Sequence, residues 1–202
     1  MTISKIFSPV TRKTKWRGIR GLCYNEDGIS AVEFALIAPF MAMLYMGCIE
    51  LSFMMRADRR ITSTSASMGD LTSRLATVED ADMQEIYQAA LVIMRPLDAS
   101  TARMRITSIV DDGSGTTTVD WSDAHNMAVN TKGAPITVPS GIISSGGSVI
   151  MAEVEYEYNS TFAFVFDASR TMSDTFYLRP RKVNAIPRVQ GSGSSDGFGP
   201  AS

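Results

Sequence analysis

The sequence Gly28-Ile29-Ser30-Ala31-Val32-Glu33-Phe34-Ala35-Leu36-Ile37 opens an apolar run of membrane-spanning length. Within residues 34–49 the chain has no charged residue, and after Glu50 the apolar composition continues for five more positions. A helix rises about 1.5 Å per residue, so about 20 residues cross the hydrocarbon core of a bilayer. The run therefore predicts one transmembrane helix at residues 29–55.

Two glutamates are the unusual residues of this run. A carboxylate costs roughly 2.5–3.5 kcal/mol at the centre of a membrane helix and less near an interface. Glu33 is therefore expected to have a specific role, and the alternative is a glutamate that snorkels to the cytoplasmic interface without a partner. Glu50 lies about 25 Å further along the helix, near the outer interface. It is interpreted either as a solvated carboxylate or as a second intersubunit contact.

A basic leader precedes the run. Residues 1–28 carry six lysines and arginines against two acidic residues. Positive charge of this kind marks the cytoplasmic flank of a membrane helix, so the remainder of the chain is predicted to lie outside. A nucleic-acid-binding arm is the weaker alternative, because such an arm needs no adjoining hydrophobic segment. No Ala-x-Ala-like site closes the run, which favours a retained anchor over a cleaved secretory signal.

The two cysteines indicate neither a disulfide framework nor a metal site. Cys23 lies in the leader and Cys48 lies within the apolar run, and neither has the spacing of a metal ligand pair. The part of the chain from Arg56 onward has no cysteine. The exported part must therefore be stabilised by its hydrophobic core.

Hydrophobic spacing predicts helical structure beyond the apolar run. An apolar stripe with a seven-residue repeat comprises Ile61, Thr64, Met68, Leu71, Leu75 and Val78. It predicts that the first helix continues to about residue 78 and packs on its own domain. A second helix is predicted from about Asp80 to Met94, with acidic residues in its first turn and Pro96 after its end.

Beyond Pro96 the period changes to that of strands. Two short runs at 104–110 and 116–121 flank an Asp-Asp-Gly-Ser-Gly turn signal and predict a hairpin. Further strands are predicted at 149–158 and 171–179. In the first of these, Glu153, Glu155 and Glu157 alternate with apolar residues and are interpreted as a solvated face. The fold class is thus α+β, with a long membrane helix, a second helix and a small antiparallel sheet.

The predicted domain boundaries follow from these segments. They are a basic cytoplasmic leader at 1–28, the transmembrane helix at 29–55, an exported α+β domain at 56–189 and a disordered Gly/Ser-rich tail at 190–202. Within the exported domain, helices are predicted at about 56–78 and 80–94, and a sheet at about 103–180.

No sequence motif indicates catalysis, a cofactor or a metal site. His125 is the only histidine, the preceding residues Trp121–Ala124 are predicted to form a loop, and there is no Gly-x-Ser-x-Gly motif. The acidic turn Asp111-Asp112-Gly113 lacks the spacing of a calcium-binding EF-hand. The enzyme alternative, a membrane-anchored hydrolase, would require His125 or a carboxylate pair in a pocket.

The chain resembles the TadE/TadG-like pseudopilins, or minor pilins, of tight-adherence (Flp-type) pili. The resemblance is carried by Gly28-x-Ser30-Ala31-Val32-Glu33-Phe34-Ala35-Leu36, by Pro39 and by Ile49-Glu50-Leu51. Weaker similarity occurs at Asp70-Leu71, Met94-Arg95-Pro96 and Tyr177-Leu178-Arg179-Pro180-Arg181. Flp major pilins have tyrosine after the glutamate and are very short, so Phe34 and the large exported domain favour the pseudopilin branch.

The resemblance implies a pilin-like layout and a structural role in pilus biogenesis. It implies that a prepilin peptidase cuts between Gly28 and Ile29, and that Glu33 and Phe34 serve processing or docking. The implied partners are this peptidase, other Tad pseudopilins, the Flp major pilin, the inner-membrane assembly platform and the lipid bilayer. The implied location is the bacterial inner membrane, crossed once, with the C-terminal domain in the periplasm. The alternative is a signal-anchored periplasmic binding protein without a pilus role.

Overall fold

The computed structural model describes residues 29–160 and 169–189. The helices are α1 (Ile29–Ser73) and α2 (Asp80–Met94), with a short 3-10 turn at Ala99–Thr101. The strands are β1 (Arg103–Asp111), β2 (Thr117–His125), β3 (Ser148–Asn159) and β4 (Ser169–Leu178). The predicted α+β class with a pilin-like layout is confirmed. The predictions for the leader at 1–28, including Gly28, and for the tail at 190–202 lie outside the described residues.

The chain divides into two compact units, Met1–Gly47 and Cys48–Ser202. In the first unit the described residues form the N-terminal part of α1. The second unit contains the rest of α1, α2 and the sheet.

The four strands form one antiparallel sheet in the order β2-β1-β3-β4. The predicted hairpin is the β1–β2 pair, with a register shift between Ser108 and Ile109. The prediction of a loop at Trp121–Ala124 is wrong, because these residues belong to β2 and pair with β1. Ser and Asp are unusual residues in a strand. The buried Asp123 pairs with Arg188, which lies far away in the sequence.

The main core lies between one face of the sheet and the two helices. Its largest fully buried side chains are Tyr87, Ile61, Met68, Met94, Met104, Ile106, Ile150, Ile186, Val78 and Val154. Small residues on α1 allow it to approach the sheet closely. A Cβ added at Gly69 would lie 3.0 Å from Leu178 Cδ1 and 3.6 Å from Ala152 Cβ. The lack of a side chain at Gly69 therefore allows the helix to pack this closely on the sheet.

Helix α1 ends at Ser73, so its predicted continuation to residue 78 is wrong. Ile61 and Met68 are buried as the stripe predicts, but Leu71 is 39% exposed. An α-helix has 3.6 residues per turn, so a seven-residue repeat drifts around the helix. Val78 is buried for another reason, since it contacts the C-terminal end of the domain.

The opposite face of the sheet is partly covered and partly ion-paired. Ile109, Val149 and Met151 form a second, smaller apolar cluster beneath residues 136–143. The interpretation of the glutamates on β3 as a solvated face is wrong for Glu153. Its carboxylate accepts a hydrogen bond from Arg105 Nε at 2.6 Å, and both side chains are less than one-fifth exposed.

Residues 181–189 form a C-terminal strap across the link between α1 and α2. The Arg181 amide donates to the Ser73 carbonyl at 2.9 Å, and the Val78 amide donates to the Pro187 carbonyl at 3.0 Å. Trp121 Nε1 donates to the Ile186 carbonyl at 2.7 Å. These bonds join the end of the domain to α1, to the link before α2 and to β2.

A buried ionic cluster fixes this strap. One guanidinium nitrogen of Arg188 lies 2.9 Å from Asp123 Oδ2 and 2.5 Å from Asp80 Oδ1. The Arg188 and Asp123 side chains are only 11% and 7% exposed. Burial, followed by the charge of Asp123, raises the pKa of Tyr87 well above its ordinary value. Arg188 of the strap therefore supplies the positive charge that balances the carboxylates of Asp80 and Asp123.

Candidate functional site

The first half of α1 exposes apolar side chains on all sides. The exposed large apolar residues are Ile29, Val32, Phe34, Leu36, Ile37, Phe40, Met41, Met43, Leu44 and Tyr45, each more than half exposed. Among the described residues, α1 is the one helix long and apolar enough to cross a membrane. An apolar surface of this extent marks a region that lipid or another protein covers.

Glu33 and Ile29 lie one helical turn apart at the start of α1. Positions four apart share a helix face, and both residues are exposed. Phe34 is 72% exposed. Gly28 lies outside the described residues, so the processing roles of Gly28 and Ile29 and the docking role of Glu33 and Phe34 stay predictions. Pro39 is accommodated within the continuous helix, as membrane helices tolerate.

Glu50 is buried against the folded domain. It is 5% exposed, and Tyr158 Oη donates a hydrogen bond to its Oε1 at 3.0 Å. Its Oε2 is buried without a hydrogen-bond partner among the residues that the structure describes. The interpretation of Glu50 as a solvated carboxylate is therefore wrong, while the intersubunit contact stays a prediction. The sequence gives no signal for this contact, because Tyr158 lies 108 residues further on.

We expect Tyr158→Phe to lower the free energy of unfolding by about 1–3 kcal/mol, because it leaves a buried carboxylate without its donor. Burial, followed by the hydrogen bond to Glu50, raises the pKa of Tyr158 to about 12. A raised pKa means that the neutral form is favoured in the fold. The contribution should therefore be complete below the unfolded value of about 10 and be lost as the pH rises through the folded value.

Urea unfolding of the full chain in detergent, followed by tryptophan fluorescence, measures this loss. The half-buried Tyr177 provides the control, and Tyr177→Phe at neutral pH should change the free energy of unfolding by less than about 0.5 kcal/mol. Equal stability of Tyr158→Phe and the wild type would contradict the assigned contact.

The hydrolase alternative gains no support from the described residues. His125 ends β2, its ring centroid lies 5.8 Å from that of Tyr87, and burial lowers its pKa. His125 does not line the clefts beside Pro135–Gly141, beside Arg170 or between Leu71 and Ala89. The acidic turn also has a structural role, since Asp111 Oδ1 accepts from the amides of Gly113 and Gly115. Within residues 29–160 and 169–189, no group of three His, Cys, Asp or Glu side chains could hold a metal ion.

A family model described as TadE-like protein matches residues 28–67. This match covers the Gly28–Leu36 block, the exposed part of α1 and the turns of α1 that begin to pack on the sheet. No curated protein and no solved structure matches the chain. TadE-like pseudopilins are structural proteins without enzymatic activity. Residues 28–67 of the chain are thus similar to the TadE-like protein family.

Proposed function

We propose that this protein is a pseudopilin, or minor pilin, that acts in the biogenesis of a tight-adherence pilus. The observation that carries the proposal is the division of α1 within the family match. Its first part exposes apolar side chains all round, whereas Ala57, Ile61 and Thr64 are buried against the domain. A helix of this kind can be held by lipid at one end and carry a folded domain at the other.

Processing by a prepilin peptidase between Gly28 and Ile29 is part of the proposal. Glycine has no side chain and admits unusual backbone angles, which suits an extended substrate at the membrane edge. The cut would create an α-amino group on Ile29, one helical turn from the Glu33 carboxylate. This pair, within one subunit or between neighbours, would offset the cost of a carboxylate near the bilayer.

Assembly would then exchange lipid contacts for protein contacts. The exposed apolar side chains of α1 can pack against the equivalent helices of other Tad pseudopilins or of the Flp major pilin. The inner-membrane assembly platform would receive the subunit, with its α+β domain on the periplasmic side. The domain would prime, cap or decorate the pilus.

We expect Glu33→Ala to abolish most surface pili while the protein still inserts into the membrane. The substitution removes the charge proposed to pair with the new N-terminus, and it makes the run more apolar. Electron microscopy counts the pili, and membrane fractionation measures insertion. Glu157→Ala removes an exposed glutamate from β3 and is the matched control. Normal piliation in Glu33→Ala would instead favour a signal-anchored periplasmic binding protein.

A further inference from the structure

The folded domain begins where the hydrocarbon core of a bilayer would end. From Ile29 to Glu50 the helix rises about 30 Å, the thickness of that core. Glu50 is 5% exposed and Ala57 is fully buried, so the domain already covers one side of α1 from this point.

Apolar side chains in these turns of α1 are left uncovered by the domain. Leu51 is 59% exposed, Phe53 is 36% exposed and Met55 is 51% exposed. At this height along the helix they would meet the boundary between acyl chains and lipid headgroups. An apolar side chain at that boundary can bury itself among the lipids.

Exposed arginines follow immediately. Arg56 and Arg59 are exposed on α1, and Arg170 is exposed at the start of β4. Arg170 lies opposite Tyr158 in the β3–β4 register and lines a cleft of about 420 Å³ with Met55. It therefore belongs to the same end of the domain as the exposed apolar residues.

Among the described residues, these arginines share the absence of an ion pair with Arg60, Arg95, Arg179 and Lys182, but they lie next to the exposed apolar residues of α1. Within the described ranges, none of Arg56, Arg59 and Arg170 forms an ion pair. The basic residues that do pair with carboxylates are Arg74, Arg103, Arg105, Lys132, Arg181 and Arg188. The guanidinium of Arg56 lies 5.8 Å from the centre of the Phe53 ring. Asp58 is the acidic residue in the cleft beside Arg170.

The charge of the whole chain makes this cluster unusual. The net charge is -2, and the leader contributes six basic and two acidic residues, so the remainder has a net charge of -6. Exposed cations next to the membrane helix therefore stand out against an acidic domain. Guanidinium groups bind phosphate with paired hydrogen bonds, and anionic lipid surfaces attract such side chains over short distances.

We propose that this basal surface, formed by Leu51, Phe53, Met55, Arg56, Arg59 and Arg170, sits in the headgroup region and binds anionic phospholipids. The apolar side chains enter the acyl boundary and the arginines bind headgroup phosphates. The bound lipids hold the domain against the membrane surface. The inference rests on α1 spanning a bilayer, as in the proposed function, but it requires neither processing nor a pilus.

The test uses the full chain in nanodiscs of phosphatidylcholine and phosphatidylglycerol, with spin-labelled versions of each lipid. Electron paramagnetic resonance measures the fraction of each lipid that the protein immobilises. We expect severalfold preference for phosphatidylglycerol in the wild type, decreasing as salt rises from about 0.05 M to about 1 M because the charges are screened. The six basic residues of the leader contribute to this preference in every variant, and R56Q/R59Q/R170Q should lose the part that the basal surface adds.

The control R74Q/K132Q/K182Q removes the same number of positive charges elsewhere on the domain and should keep the preference. Equal preference in the basal variant and the wild type would overturn the proposal, as would equal loss in both variants. A salt-independent preference in the wild type would also overturn it, whether or not the variants fold. Failure of the wild type to insert into a bilayer would contradict the membrane span and thus the proposed function itself.

Discussion

Gly28→Arg should abolish removal of residues 1–28 in cells that contain a prepilin peptidase. The proposed cut needs an extended backbone at the membrane edge, and glycine is the residue that offers this without a side chain. Arginine adds both bulk and a charge directly beside the cut. Mass spectrometry of the purified protein should then find 202 residues, whereas removal of 28 from the wild type leaves 174.

Gly21→Arg is the matched control for this experiment. It makes the same exchange seven residues earlier in the leader, so the chain should still be shortened to the same mass. Retention of the leader in both variants would point to a general defect in membrane insertion. Normal shortening of Gly28→Arg would contradict the assignment of this glycine to the cut.

Arg188→Met should lower the free energy of unfolding by about 3–5 kcal/mol, the usual effect of breaking a buried ion pair. The substitution leaves the Asp123 carboxylate, whose side chain is 7% exposed, without the guanidinium at 2.9 Å. It also loosens the strap from Asp80, to which the same nitrogen is bonded. Urea unfolding in detergent, with Trp121 as a probe beside the strap, measures the change.

Arg181→Ala provides the comparison, because Arg181 also joins the strap to a helix. Its partner Asp70 and its own side chain are 30% and 54% exposed, and exposed pairs contribute about 0–1 kcal/mol. The double variant Asp123→Asn/Arg188→Met should be more stable than Arg188→Met alone, since it removes the stranded charge. Similar losses for Arg188→Met and Arg181→Ala would contradict a buried role for Arg188.

The local patterns in the sequence are sufficient to predict the elements of the fold. An uncharged run of membrane length, an acidic helix start before an apolar face and a two-residue alternation each depend on nearby residues. These patterns predict the long helix, α2 and the hairpin. They do not predict that β1 lies between β2 and β3, because strand order depends on contacts between distant segments.

Three of the errors involve partners that are distant in sequence. Glu50 is buried because Tyr158 supplies a donor, and Asp123 is buried in a strand because Arg188 supplies a charge. Neither pairing produces a periodic pattern in the sequence. Glu153 has an alternating pattern typical of a solvated face, yet Arg105 on the neighbouring strand pairs with it. A sequence pattern can therefore predict on which face of a strand a side chain lies. Whether that side chain is exposed to solvent depends on its neighbours in the fold.

The most direct test of the central claim is the N-terminal sequence of the protein purified from the membranes of bacteria that assemble a tight-adherence pilus. The account predicts a mature chain that begins Ile29-Ser30-Ala31-Val32-Glu33. That result would establish the cut after Gly28 and would place Glu33 one turn from a new amino group. A chain that still begins at Met1 in cells with an active prepilin peptidase would contradict the account.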